Sequence, residues 1–243
     1  MIKRLFDIVF SLILVVVFSP LLILFSFFIW KQDWYSPFYV APRVGKNEKL
    51  FKMIKFRSMI VNADKSGVDS TSTSDNRITP LGEFIRKYKI DELPNFFNIL
   101  KGEMSFVGPR PNVKRETDLY TIEEKHLLTV RPGITDFSSI VFSDEGDILE
   151  GSSDPDLDYN QLIRPWKSRL GIFYINNRSI LMDIQLMLLT AVAMISRSKS
   201  IKSINKILIN KSADEQLVHV SLRENPLFPH PPPGSDRIVT SRS

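Results

Sequence analysis

The sequence predicts an α+β protein, mostly helical with a small β-hairpin or sheet, held to a membrane by an N-terminal apolar helix and by amphipathic helices lying in the interface. Three observations lead there. Residues 8–29 carry no charge, residues 38–57 alternate at strand period around Gly45-Lys46-Asn47, and much of the remaining apolar content recurs at helical spacing. A chain of 243 residues that is 43% hydrophobic can bury a real core in one or two domains.

Composition narrows the chemistry. With no cysteine there is no disulfide scaffold, thiolate zinc site or cysteine nucleophile. The three histidines, His126, His219 and His230, stand far apart and lack metal-ligand spacing, which leaves carboxylates as the expected acid, base or nucleophile. Residues 1–60 hold nine basic residues against three acidic ones, whereas the other 183 hold 23 against 24. The positive excess flanks the apolar segment, so its expected partner is an anionic membrane surface and not nucleic acid.

Taken in order, residues 8–29 would reach ~33 Å as a helix, about the thickness of the hydrocarbon core. A cleaved signal peptide fits poorly, because the segment is too long and no small-x-small site precedes Trp30 and Lys31. Pro20, after Ser19, has no N–H for the Val16 carbonyl, which predicts a kink or break. Basic residues flank both ends, so they do not settle orientation. These residues alone favour a kinked span, since a re-entrant turn must satisfy its freed backbone groups.

Beyond the hairpin, the polar run from Asn62 to Asn76 reads as a mobile loop. Thr79-Pro80 opens a short helix with Leu81, Phe84, Ile85 and Tyr88 at helical spacing; Asp91-Glu92 opens a second that ends at Gly102. Further helices are expected after Pro111 and after Asp154-Pro155. Residues 184–195 are apolar, and after them Ile201, Ile204, Ile207 and Leu208 share one face among five basic residues, the composition of an interfacial helix. The alternative is a core helix followed by a solvated basic one. The last 18 residues hold five of the fifteen prolines and read as a disordered tail.

The segment from Ile85 to Pro111 is the richest in chemistry. Asp91 and Glu92 are adjacent, so they converge on one site only at a helix start. The plain reading is that Asp91 caps the helix, Glu92 favours its dipole and Pro94 sits in the first turn. A functional reading gains from the surroundings. Arg86 and Lys89 precede the pair, and Pro109 and Pro111 stiffen the backbone around Arg110, whose planar fork can grip a phosphate. A carboxylate beside such cations is held ionised and can bind a divalent cation or attack phosphorus.

Six stretches occur together and in order: KRLFDIVFS with Ser19-Pro20, RVGKNEKLFKMIKFRSM (43–59), DNRITPLGEFIRK (75–87), DELPNFFNILKGEMSFVGPRP (91–111), RPGIT (131–135) and NNRSILMDIQLMLLT (176–190). With them the chain resembles the bacterial sugar transferases, the monotopic phosphoglycosyl transferases, over about residues 1–195. The resemblance implies a membrane-bound enzyme of the bacterial inner membrane with its catalytic domain on the cytoplasmic face. Such an enzyme moves a sugar 1-phosphate from a nucleoside diphosphate sugar, usually a UDP-sugar, onto a polyprenyl phosphate and releases the nucleoside monophosphate. It serves polysaccharide, lipopolysaccharide or other glycoconjugate synthesis.

The same resemblance implies that Asp91 is the nucleophile and forms an aspartyl phosphosugar, with Glu92 beside it. It implies Mg²⁺, with Mn²⁺ also suited to the oxygen donors, and Asp91 as the metal ligand. Arg110, between Pro109 and Pro111, is the leading candidate to hold phosphate or nucleotide, and Lys55, Arg57, Arg86 and Arg131 are weaker ones. It also implies that Ser19-Pro20 turns the apolar helix back into one leaflet, reversing the preference for a span. The expected organisation is a re-entrant helix over 1–31, a catalytic domain over 32–197, and a basic amphipathic helix with a disordered tail over 198–243; a second copy of the chain is a candidate partner.

One departure stands out. Where many members follow RPGIT with Gly-(Leu/Trp)-Ala-Gln, this chain has Asp136-Phe137-Ser138-Ser139, continuing as IVFSDEGDIL, a region expected near the sugar or nucleotide. A catalytically silent, membrane-anchored interaction protein of the same fold is the competing reading. The intact Asp91-Glu92 pair and the 108–111 stretch argue against it.

Overall fold

The computed structural model describes residues 2–68 and 70–241. Among them the chain is mostly helical, with two small two-stranded sheets. Helix α1 (Ile2–Asp33) takes up the apolar segment and its flanks, and it is long and apolar enough to cross a membrane. The polar residues of its first turns, Lys3, Arg4, Asp7 and Ser11, find partners in the rest of the protein. Lys3 Nζ lies 2.5 Å from Asp183 Oδ2, and Arg4 donates to the carbonyls of Ile99 (2.6 Å) and Leu100 (2.9 Å). Asp7 accepts from the Ser105 hydroxyl (3.1 Å) and the Phe106 N–H (3.3 Å), and Ser11 donates to the Phe96 carbonyl (2.9 Å).

Past Pro20, Leu22, Phe25 and Ile29 pack with Phe56 and Ile85. The helix therefore touches the same globular body on both sides of its proline. Its other face, with Ile2, Leu5, Val16 and Ile23, is exposed. The break expected at Ser19-Pro20 does not interrupt the helix. The Ser19 hydroxyl donates to the Val16 carbonyl at 2.8 Å, filling the acceptor that the proline leaves open.

Strands β1 (Phe38–Val44) and β2 (Leu50–Phe56) form the expected antiparallel hairpin, with Phe38 opposite Phe56 and Val44 opposite Leu50. The loop read as mobile is tied down: the Ser70 N–H donates to Asp156 (2.8 Å), the Thr73 hydroxyl to Asp147 (2.6 Å) and the Ser74 N–H to Glu150 (3.1 Å). Helix α2 (Pro80–Lys87) starts at Thr79, whose hydroxyl caps it by accepting from the Gly82 N–H. Helix α3 (Asn95–Lys101) stops at Gly102, which takes the left-handed cap conformation at φ 86°. Strands β3 (Ser105–Val107) and β4 (Gly133–Thr135) pair in parallel, with α4 (Lys114–Asp118) between them in the chain. Each has three residues, too few for an alternation to show in the sequence.

The remainder is helical: α5 (Phe137–Val141), α6 (Glu145–Ile148), α7 (Pro155–Asp158), α8 (Arg164–Asn177), α9 (Ile180–Ile195), α10 (Arg197–Asn210) and α11 (Glu215–Ser221). Phe96, Ile99, Phe106, Phe137, Ile140, Leu170 and Leu186 form the centre of the main core. The interfacial helix expected after residue 197 needs correction. Ile201, Ile204 and Leu208 of α10 are buried in the protein's own core, and α9 is the helix that leaves Leu181, Leu188 and Ile195 exposed. Periodicity reveals an apolar face but not what covers it.

The proline-rich end, read as disordered, lies against α8 as far as it is described. The His230 ring stacks on Trp166 at 4.4 Å, and Arg169 and Thr121 donate to the carbonyls of Pro231 and Pro233. Proline-rich backbone has few N–H groups, so its carbonyls are taken by side chains of the body.

One buried amide ties the hairpin to α3. The Asn98 oxygen accepts from the Ile54 N–H (3.0 Å), while its nitrogen donates to the Lys52 carbonyl (2.7 Å) and to Glu103 (2.6 Å). Asn98→Ala is expected to lower the unfolding free energy by about 2–3 kcal/mol, because it strands polar partners away from water. Urea unfolding in detergent, followed by circular dichroism, checks this; an unchanged midpoint would remove Asn98 as the tie.

Candidate active site

Asp91 and Glu92 lie in a single 3-10 turn, Ile90–Glu92, entered through Lys89 in the left-handed conformation at φ 56°. The expected capping role for Asp91 is not seen. Helix α3 begins later, after Pro94, with no side-chain cap, so both carboxylates are free of helix duties. The turn directs them inward, and both are buried, at 8% and 7% exposure.

Two elements distant in sequence bring cations to them. Lys55 on β2 places Nζ 3.0 Å from Glu92 Oε1 and 3.9 Å from Asp91 Oδ2. Arg110, just after β3, places Nη2 2.6 Å from the same Glu92 oxygen. The aim of Arg110 depends on a close backbone crossing. A Cβ at Gly108 would stand 2.4 Å from the Arg131 carbonyl, and one at Gly133 would stand 2.2 Å from the Gly108 nitrogen, so neither site accepts a side chain.

The electrostatics separate the two acids. Burial pushes both carboxyls up, but for Glu92 the charges of Arg110 and Lys55 more than reverse this and hold it well below the usual carboxylate range. Asp91 stays raised by burial, with the Glu92 charge adding to the shift and Lys55 opposing it. Burial lowers the Lys55 ammonium, and Glu92 pulls it back. Glu92 in turn holds the Arg110 guanidinium firmly charged against its burial. The result is a fixed anion at Glu92, spoken for by two cations, beside a poorly solvated carboxyl at Asp91.

These groups open onto a cavity of about 510 Å³. Asp91, Lys55, Arg86, Arg110 and Pro111 line it, as the sequence reading grouped them. Arg57 lines it too, but its fork is engaged by Asp33 at 2.5 and 2.6 Å, tying β2 to the end of α1. Pro109 borders a smaller recess of about 30 Å³ beside Arg110. Arg131 is in neither lining: its Nε donates to the Gly102 carbonyl at 2.7 Å, at the C-terminal end of α3. Asp136 caps α5, accepting from the Ser139 N–H at 2.7 Å, and does not reach the larger cavity. Glu145, within the stretch expected near the sugar or nucleotide, does line it, and so do Tyr159 and Lys167, which no sequence motif marks.

The donor set bears on metal binding. Among the described residues no group of three or more His, Cys, Asp or Glu side chains could hold an ion, and one Glu92 oxygen already serves two cations. What remains, chiefly Asp91, suits a hard cation that arrives with phosphates and keeps its waters, and not a resident cage.

A family model described as bacterial sugar transferase matches residues 1–197. An uncharacterized sugar transferase of Haemophilus influenzae is 34% identical over 210 residues, covering 80% of this chain and 41% of the relative. The undecaprenyl-phosphate galactose phosphotransferase of Salmonella typhimurium is 33% identical over 213 residues, covering 80% and 40%. A UDP-N-acetylgalactosamine-undecaprenyl-phosphate N-acetylgalactosaminephosphotransferase of Aeromonas hydrophila is 39% identical over 145 residues, covering 58% and 34%. The chain thus spans well under half the length of these relatives, and the matched region carries both the membrane-type helix and the Asp91-Glu92 cavity. The chain belongs to the bacterial sugar transferase family.

Proposed function

We propose that the chain transfers a sugar 1-phosphate from a UDP-sugar to a polyprenyl phosphate at the cytoplasmic face of the bacterial inner membrane, through a phosphosugar ester of Asp91. The observation that carries this is the Asp91-Glu92 turn, buried at the edge of a cation-lined cavity with Lys55 and Arg110 set on Glu92. In the first step an Asp91 oxygen bonds to the phosphorus that bears the sugar, and the bond from that phosphorus to the bridging oxygen breaks, releasing UMP. In the second, an oxygen of the polyprenyl phosphate attacks the same phosphorus and Asp91 leaves as its carboxylate. Splitting the transfer lets one carboxylate serve two large substrates in turn.

Each neighbour has a part. Poor solvation leaves the Asp91 carboxylate reactive once ionised, and Lys55 stands close enough to favour that ionised form. Glu92 fixes Lys55 and Arg110, whose remaining N–H groups face the cavity where phosphate charge develops. Mg²⁺ or Mn²⁺, held by Asp91 together with phosphate oxygens, would offset the charge gathered there. Relatives named for galactose, N-acetylgalactosamine and glucose phosphotransferases on undecaprenyl phosphate support the reaction class and leave the sugar open. An exopolysaccharide production protein from Sinorhizobium fredii, 36% identical over 148 residues, supports a place in surface polysaccharide synthesis.

A re-entrant anchor is supported by the two-sided packing of α1. In an ordinary span only one end of the helix could reach a domain on one side of the membrane, yet Arg4 and Ile29 both contact this one. A helix turned back at Pro20 would keep both ends at the surface where UDP-sugar and lipid phosphate meet.

Asp91→Asn is expected to lose ~10³-fold or more in UMP release, about 4 kcal/mol of transition-state stabilisation, while remaining folded. Normal turnover by that variant would end the assignment. Arg110→Ala is expected to cost about 10²-fold in kcat/KM, and EDTA to abolish turnover until Mg²⁺ is restored; kinetics indifferent to both treatments would contradict the phosphate and cation roles. Topology can be read from an Ile2→Cys variant, because the chain has no other cysteine. In intact cells an impermeant thiol reagent is expected to leave it unlabelled while Pro20 is present and to label it in Pro20→Ala; labelling with Pro20 present would return α1 to a plain span.

A further inference from the structure

We infer that Glu145 and Lys167 form the sugar-reading end of the cavity, taking hydroxyl groups of the hexose carried by the nucleotide. This rests on the transferase reading above and goes beyond it. The two side chains are an ion pair, from α6 and α8, and both line the cavity without touching Asp91, Glu92 or Lys55 among the contacts described. Lys167 also stands over the Tyr159 ring, 5.3 Å from its centre, and Tyr159 lines the same wall. Lys167 holds the Glu145 carboxyl below its ordinary value against its burial.

Charge decides what this wall can receive. Arg110 is bonded to Glu92 and feels the charge of Glu145, which lines the same cavity. A phosphate gripped by Arg110 meets basic groups toward Lys55 and Arg86, but toward α6 a carboxylate–ammonium pair with no net charge. The second phosphate of the nucleotide is better satisfied on the basic side. A neutral, hydroxyl-rich ring bonded to the gripped phosphate suits the neutral pair, where it finds an acceptor in Glu145 and donors in Lys167 and Tyr159. Charged groups in a shielded cavity are left unsatisfied by an analogue lacking the matching hydroxyl, so such a wall discriminates between epimers.

The test uses the full chain in detergent with UMP and a panel of UDP-hexoses differing at single hydroxyls. Binding is measured by calorimetry, and UMP release is followed in parallel. Glu145→Gln and Lys167→Gln each leave one charge unpaired, so the double variant, which keeps a neutral hydrogen-bonding pair, is included as a folded control with its thermal midpoint recorded. The expected result is about a tenfold or greater loss of affinity for the preferred UDP-hexose and a changed order among epimers, with UMP affinity held within about twofold. An unchanged order in a folded double variant overturns the proposal. So does a parallel loss of UMP affinity, which would assign the pair to the nucleotide. A parent chain that binds UDP-hexoses selectively but releases no UMP would overturn the transferase reading while the variants still judge the wall. A parent that binds none overturns both.

Discussion

The site depends on one carboxylate. Glu92 accepts from Lys55 and from Arg110, and those two cations come from a hairpin about 40 residues before it and from a strand end almost 20 residues after it. A buried charge without partners would cost several kcal/mol, so the fold cannot close around Glu92 unless both cations arrive. Conversely, Lys55, with 15% of its side chain exposed, needs Glu92, whereas Arg110 reaches it from a more open position with 38% exposed. Satisfying one group therefore fixes three chain segments relative to each other, and Asp91, adjacent in the turn, inherits a defined position without spending its own oxygens on the structure.

The same economy appears in α1. Its outward face is that of a helix dissolved in lipid, but its inward face carries the four polar residues that dock it to α3, β3 and α9. Leu22, Phe25 and Ile29 then hold its second half against Phe56 and Ile85. The membrane-type element is thus part of the wall of the catalytic body and not a tether. Arg57, engaged by Asp33, is the link between this helix and the strand that carries Lys55.

What could be read in the sequence was local. The apolar segment, the hairpin around Gly45-Lys46-Asn47, the Thr79 cap, the stop at Gly102 and the Asp91-Glu92 pair each announce themselves within a few residues. What the sequence hides is any role that depends on distant partners. Arg131 has the same chemistry as Arg110, but the Gly108–Gly133 crossing sends one to the cavity and the other to the end of α3. Asp91 looked like a cap because a proline follows three residues later, and only the positive φ at Lys89 shows that the chain makes a separate turn first. Likewise α10 has the pattern of a lipid-facing helix but spends it on the core, and Lys167 carries no motif at all.

The docking of α1 also sets an order of events during synthesis. This helix is made well before its partners: Asp183, which pairs with Lys3, lies 180 residues downstream. At ~5–20 residues per second that is on the order of 10–40 s of elongation. Lys3 waits throughout that interval for Asp183, whereas the partners of Arg4, Asp7 and Ser11, between Phe96 and Phe106, follow after roughly half of it, and until then water is the recourse of all four. A membrane-seated helix with those groups unpaired would be held shallow, with its polar face turned outward from the bilayer, until the body that occupies that face has been made.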